Sequence, residues 1–188
     1  MIRITTPLDD VKVRSLKAGD EVAISGIVYT ARDAAHQRLV QLIAEGKPLP
    51  FPVEGAIIYY VGPSPAKPGE PIGSAGPTTS VRMDSLTLPL LEQGLKGMIG
   101  KGGRGPEVIE GMKKHGAVYF AAVGGAAALI SQSIKEVEVV AYPDLGAEAV
   151  HRMVVEDFPV IVAIDSQGNN LYDQGVAQYR DPSLKEVK

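Results

Sequence analysis

GMIGKGGRGPEVIEGMKKHGAVYFAAV, residues 97–123, decides the fold class of this chain. Gly97–Gly100 is short and apolar, the size of a buried strand. Gly105-Pro106 then opens a helix, because a proline costs nothing in a first turn whose N–H groups have no helical partner anyway. Gly116 can take the left-handed conformation that closes it. Ala117–Val123 returns as an apolar run bounded by glycine, long enough for a strand and too short for a helix. Strand, turn, helix and strand in this order make the repeating unit of a parallel α/β sheet.

Working downstream, Ala126–Ile134 reads as a helix and Val137–Tyr142 as a strand, with Gly124-Gly125 turning the chain before them. Val150–Val155 and Val160–Asp165 read as an antiparallel pair, and Ser166-Gln167-Gly168-Asn169 as a further turn. Upstream, Asp84–Leu95 is a helix with Leu86, Leu90, Leu91 and Leu95 on one side; Pro89 is expected to confine it to the part that follows. Residues 61–79 hold five prolines and four glycines, too many for regular structure. We expect an ordered loop there rather than a linker, delivering Thr78-Thr79-Ser80-Val81-Arg82 to a site. The first third is β-rich, with strands at Val11–Val13 and Glu21–Tyr29, the second broken at Gly26, and a turn at Lys17–Asp20. Thr30 is the expected N-cap of a helix from Ala31 to Glu45, closed by Gly46, and Gly55–Val61 is a buried strand. The expected fold is a single α/β domain of mixed sheets and helices in layers, spanning residues 1–175, with a polar tail at 176–188.

Composition narrows the function. With 45% apolar and 22% charged residues the chain can build a core. A net charge of −3 and an aromatic content of 5% give neither the basic field nor the stacking platform that nucleic acid requires. No cysteine is present, which excludes disulfides, thiolate metal sites, cysteine nucleophiles and any cysteine-held iron–sulfur cluster within this chain. The 19 uncharged residues between His115 and Lys135 approach a membrane span, but Gly124-Gly125 and Ser131-Gln132-Ser133 interrupt them. The N-terminus has no secretory signal pattern, so a cytoplasmic protein is expected.

His36, His115 and His151 are too scattered for a local metal pair, and no G-x-S-x-G elbow appears. Residues 100–105 match G-x-G-x-x-G, but the acid that a dinucleotide site needs after the next strand is missing until Glu136. An anion site using Lys101, or a tight turn alone, remains open. Arg32 and Arg82 both stand near helix starts, where a cation is electrostatically misplaced. Either each pairs with a neighbouring aspartate, or the helix tolerates it because a ligand needs the charge.

At this point five blocks stand together: TARDAAH at 30–36, GPTTSVRMD at 76–84, GKGG at 100–103, GGAAA at 124–128 and VEDFP at 155–159. With them the chain closely resembles the β subunit, or C-terminal domain, of the iron–sulfur (class I) fumarate hydratase and L-tartrate dehydratase family, from about Ile4 to Gln174. Family members often read Ala-Gly where this chain has Ser80-Val81, a change expected to alter the loop or the pocket. The resemblance implies a swivelling β/β/α domain and a hydro-lyase acting on a C4 dicarboxylate, fumarate hydratase first and L-tartrate dehydratase second. It implies an α subunit whose cysteines hold a [4Fe-4S] cluster, in a heterotetramer of two α and two β chains. It assigns Arg32, Arg82 and Lys101 to the substrate carboxylates, Thr78 to proton transfer, and Asp33, His36 and Asp84 to orienting the arginines. A non-catalytic dinucleotide- or anion-binding module is the competing reading from another class.

Overall fold

The computed structural model describes residues 1–73, 75–122 and 127–173. Five parallel strands succeed one another: β1 (Ile2–Thr5), β2 (Glu21–Thr30), β3 (Ile57–Tyr59), β4 (Gly97–Gly100) and β5 (Val118–Ala122). The last two strands, β6 (Ile134–Ala141) and β7 (Val150–Ile164), run antiparallel to each other, and β7 pairs antiparallel with both β5 and β2. The order β2-β3-β4-β5-β7 therefore returns to β2, and the sheet closes on itself. Among the described strands, closure leaves β1 and β6 with a free edge.

Alternation along the strands feeds two cores. Ile57, Tyr59, Ile99, Val118 and Phe120 join Phe158 and the residues of β2 in one of them. Ile58, Tyr60, Met98 and Tyr119 point the other way, against α2 (Asp33–Ala44), α3 (Asp84–Glu92) and α4 (Pro106–His115) through Leu39, Leu90, Leu91, Val108 and Met112. No described helix is long and apolar enough to cross a membrane.

The βα units after β3, the turns at Lys17–Asp20 and Ser166–Asn169, and the left-handed closure of α4 at Gly116 follow the sequence expectation. Four expectations need correction. Val11–Val13 is not a strand but part of α1 (Asp10–Ser15): the Asp9 carboxylate caps it by accepting from the Lys12 N–H at 2.8 Å, and Val13 and Leu16 turn inward together. Thr30 is no cap; it ends β2 and bonds His151, so Arg32 stands at the N-cap of α2 with no side-chain cap. Pro89 does not delay α3, because buried Thr87, Leu90 and Leu91 pin the helix and the lost bond falls at exposed Ser85. The expected hairpin at 150–165 is one continuous strand. Its polar break at Glu156-Asp157 is a bulge opposite Ser25, next to Gly26 (φ +112°), secured by the Asp157 N–H on Ser25 Oγ at 3.0 Å. The strand β1 was not foreseen at all. The Gly124-Gly125 turn, part of the GGAAA block and the tail lie outside the described residues, although Ala127–Ser133 forms the expected helix α5.

The described residues of the 61–79 segment form an ordered loop. Ile72 and Ala75 are buried in the same core as Tyr59, whose hydroxyl donates to the Ala75 carbonyl, and the Thr78 N–H donates to the Tyr60 carbonyl at 2.7 Å. Gly100 shows how closely it is seated: a Cβ there would overlap the Ser80 hydroxyl and come within 2.9 Å of the Tyr60 ring. Gly100→Ala should therefore cost roughly 1–3 kcal/mol, the range of overpacking in a filled core, measured as a shift in urea midpoint. An unchanged midpoint would show that the loop can lift away freely.

Candidate active site

The parallel strands of an open or closed α/β sheet present ligands at their carboxyl ends, where loops diverge. Here those loops carry all the residues marked in the sequence. Arg32 and Asp33 follow β2, Thr78 through Asp84 follow β3, and Lys101 through Arg104 follow β4. Backbone bonds stitch the second and third of these loops together: the Ser80 N–H donates to the Lys101 carbonyl at 2.9 Å, and Thr79 bridges Lys101 in a parallel pair. Tyr119 adds a side-chain stitch, donating to the Gly102 carbonyl and accepting from Ser80 Oγ, both at 2.7 Å. Ser80 is thus a buried hydrogen-bonding residue, while Val81 beside it is exposed.

Arg82 reaches back across the site to Asp33, its Nη2 lying 3.0 Å from Oδ2. The sequence alternative of an arginine paired with an aspartate therefore holds for Arg82, but the acid comes from a different loop. Arg32 packs over Gly62, and its Nε lies 3.8 Å from the Glu148 carboxylate. That is ion-pair distance but too long for a hydrogen bond, and the Arg32 Nε is buried without one, as is Asp33 Oδ1. Lys101 is exposed and has no acidic partner within 4.0 Å among the described residues. Thr78 is partly buried, and Thr79 beside it is exposed.

His36 lies one helical turn after Arg32 and is wholly buried. Its Nδ1 bonds the Arg32 carbonyl at 2.8 Å, and since a carbonyl only accepts, the proton is on Nδ1. Its Nε2 has no partner. Burial first, and then the positive Arg104, drive its pKa down to about 4, so the ring is neutral at pH 7.

Asp84 was expected to orient Arg32 or Arg82, and it does neither. Its carboxylate takes the Arg104 Nε–H on Oδ1 at 2.7 Å and the Gly105 N–H on Oδ2 at 2.6 Å. Arg104, which sequence reasoning passed over as one more residue of a glycine turn, has a fully buried side chain. Its other nitrogens donate to Tyr60 Oη at 3.1 Å and Thr87 Oγ1 at 2.9 Å, and its plane lies about 5 Å from the rings of Tyr60 and Tyr119. The nearest sequence signal was the aspartate at the start of α3 facing two basic residues at the next glycine turn. The pair links them across 20 residues.

Three cations on loops at the carboxyl ends of adjacent strands, one of them at the uncapped start of α2, make an arrangement suited to small anions bearing more than one carboxylate. The chain belongs to the family described as Fumarase C-terminus, whose pattern it matches over residues 1–175. It is 43% identical over 156 residues to the anaerobic class I fumarate hydratase of Escherichia coli K12, covering 81% of this chain and 28% of that protein. It is 37% identical over 180 residues to fumarate hydratase 2 of Leishmania major, covering 94% of this chain and 32% of that protein. To the L(+)-tartrate dehydratase subunit beta of Escherichia coli K12 it is 36% identical over 192 positions, covering 98% of this chain and 94% of that subunit. The chain thus spans under a third of the fumarate hydratases it matches and nearly all of the tartrate dehydratase subunit.

The neutral His36 makes a testable pH dependence. Its folded-state pKa is about 4 against 6.5 for the free side chain, so the unfolded chain binds the extra proton between those values. Stability should be full above about pH 6.5 and fall by roughly 3 kcal/mol as the pH drops to about 4. His36→Asn, whose amide can still donate to the Arg32 carbonyl, should remove that share of the slope in chemical unfolding between pH 4 and 7. An identical slope in both proteins would mean that His36 is charged or accessible.

Proposed function

We propose that the chain is the β subunit of an iron–sulfur hydro-lyase that adds or removes water at a C4 dicarboxylate, with fumarate and L-malate as the first substrate pair. The observation that supports this most is the placing of Arg32, Thr78, Arg82 and Lys101 after β2, β3 and β4, at the carboxyl ends of adjacent strands, with the second and third loops stitched together and Arg82 paired to Asp33 of the first, in a chain of this family. L-tartrate dehydratase is the second reading, supported by identity along nearly the whole of that enzyme's β subunit. In both, the fold is of the swivelling β/β/α type, the complex is cytoplasmic, and two β chains join two α chains.

The chain has no cysteine, so in this reading every cysteine ligand of the [4Fe-4S] cluster comes from the α subunit. Lewis-acid assistance to the departing hydroxyl is the chemistry that such a cluster supplies. This chain does the rest of the work on the substrate. Arg32, Arg82 and Lys101 grip the two carboxylates, the guanidinium forks bidentately and the ammonium as a point charge. Asp33 holds Arg82 in place until a substrate carboxylate shares it. Thr78 Oγ1 stands on the face opposite the departing hydroxyl, accepts the C3 proton and passes its own to an acidic group of the partner. Without that relay a threonine hydroxyl is too weak a base.

Two outcomes follow for the complex with its partner. Arg32→Met, Arg82→Met and Lys101→Met should each lower kcat/KM about ten- to hundredfold, since each removes a charge-assisted bond of roughly 1.5–3 kcal/mol. Normal kinetics in all three would make the cations structural. Thr78→Val should leave KM little changed, lower kcat by about 10²–10⁴, and slow exchange of the substrate C3 proton with D₂O, whereas Thr79→Val should do much less. Proton exchange at the wild-type rate in Thr78→Val would remove Thr78 from the mechanism.

A further inference from the structure

We propose that Arg104 is a positioning residue for substrate: with Asp84 it locks the Arg82 loop to the Lys101 turn, so that both cations meet a dicarboxylate at a preset spacing. The inference rests on the dicarboxylate reading above and assigns a role to residues outside the carboxylate grip. Arg104 cannot touch substrate, because its side chain has no exposed surface. Its donors are spent on four side chains: Asp84 and Thr87 of α3, Tyr60 just after β3, and Met98 Sδ of β4 at 3.4 Å. Asp84 answers with its second oxygen on the Gly105 N–H at the start of α4.

The spacing of these ties is what points to positioning. Arg82 lies between Ser80, tied to Lys101 and Tyr119, and Asp84, tied to Arg104 and Gly105. Lys101 is tied at its own backbone and again three residues on at Arg104. Arg82 is thus bracketed on both sides, and Lys101 is held at its own backbone and again downstream, while both side chains stay exposed. Stability alone does not call for such a device. A buried ion pair gives little net stabilisation over apolar residues of the same volume, whereas the planar fork fixes direction as well as distance. A site that must hold two carboxylates at once gains from that fixed direction.

The test compares Arg104→Met, the double variant Arg104→Met/Asp84→Leu and Arg104→Lys with wild type, each in complex with the partner. Thermal midpoint, kcat, KM and amide hydrogen exchange are read for every protein. Arg104→Met leaves an unpaired buried carboxylate and should unfold many degrees earlier. The double variant should recover the midpoint to within a few degrees. Its KM for the dicarboxylate should nevertheless stay at least tenfold high, with a smaller change in kcat, and amides at 80–82 and 100–103 should exchange at least tenfold faster. Recovery of midpoint, KM and amide protection together would overturn the proposal and leave the pair as core packing. Should the double variant fail to fold, Arg104→Lys, which keeps the charge and loses the fork, carries the same two readouts, and wild-type values for both would overturn it. If the wild-type complex turns over no C4 dicarboxylate, the functional reading fails separately, and the exchange data still decide whether Arg104 holds the two loops together.

Discussion

The guanidinium of Arg104 lies out of contact with water, and everything at the carboxyl end of the sheet is arranged to make that tolerable. Leaving such a charge unpaired would cost about 3–5 kcal/mol, a large part of a domain's whole stability. Its partners therefore have to be present together: Asp84 and Thr87 from α3, Tyr60 from the end of β3, and the faces of Tyr60 and Tyr119 on either side. Those requirements fix where α3 begins, which in turn fixes the turn Ser80–Met83 that carries Arg82. They also fix the path of the glycine turn after β4, where Gly102 (φ +81°) takes the left-handed conformation and Gly105 lets the backbone pass close to Asp84.

Outside this buried pair, the charges of the site are held more loosely. Arg82 meets Asp33 at 3.0 Å, Arg32 only approaches Glu148 at 3.8 Å, and Lys101 is exposed. The contrast between a rigid, fully satisfied inner pair and outer cations with spare donors is what a site needs if its cations are to exchange internal acids for those of a ligand. The neutral His36 lies beneath both layers, tying the first turn of α2 to the Arg32 carbonyl without adding a charge that would repel the arginines.

Much of this was legible in the chain because it is local. Glycine and proline at the ends of α4, the compact apolar run Gly55–Val61, and the density of prolines before Thr78 each report their own neighbourhood. The misreadings come from non-local competition. Val11 and Val13 show β-branched alternation, but one aspartate at residue 9 caps them into a helix. Glu156-Asp157 looks like a turn, and only the partner strand, with its glycine at 26, converts it into a bulge within one long strand. Thr30 has the chemistry of a cap, yet His151, 121 residues away, claims its hydroxyl. The candidate cations stood out by their places at helix starts and in the glycine turn, and the resemblance of their blocks assigned their role, whereas Arg104 and Glu148 were missed because nothing near them in sequence reveals what they face. Closure of the sheet through β2 and β7 was out of reach for the same reason.

The central claim is that this chain supplies the carboxylate grip and the proton-transfer face of a shared hydro-lyase site. A crystal structure of the complex with its partner and a bound C4 dicarboxylate tests it most directly. The account predicts both substrate carboxylates within hydrogen-bonding distance of Arg32, Arg82 and Lys101, with Thr78 Oγ1 facing C3. A dicarboxylate bound wholly by the partner, with those four side chains turned to solvent, would contradict it.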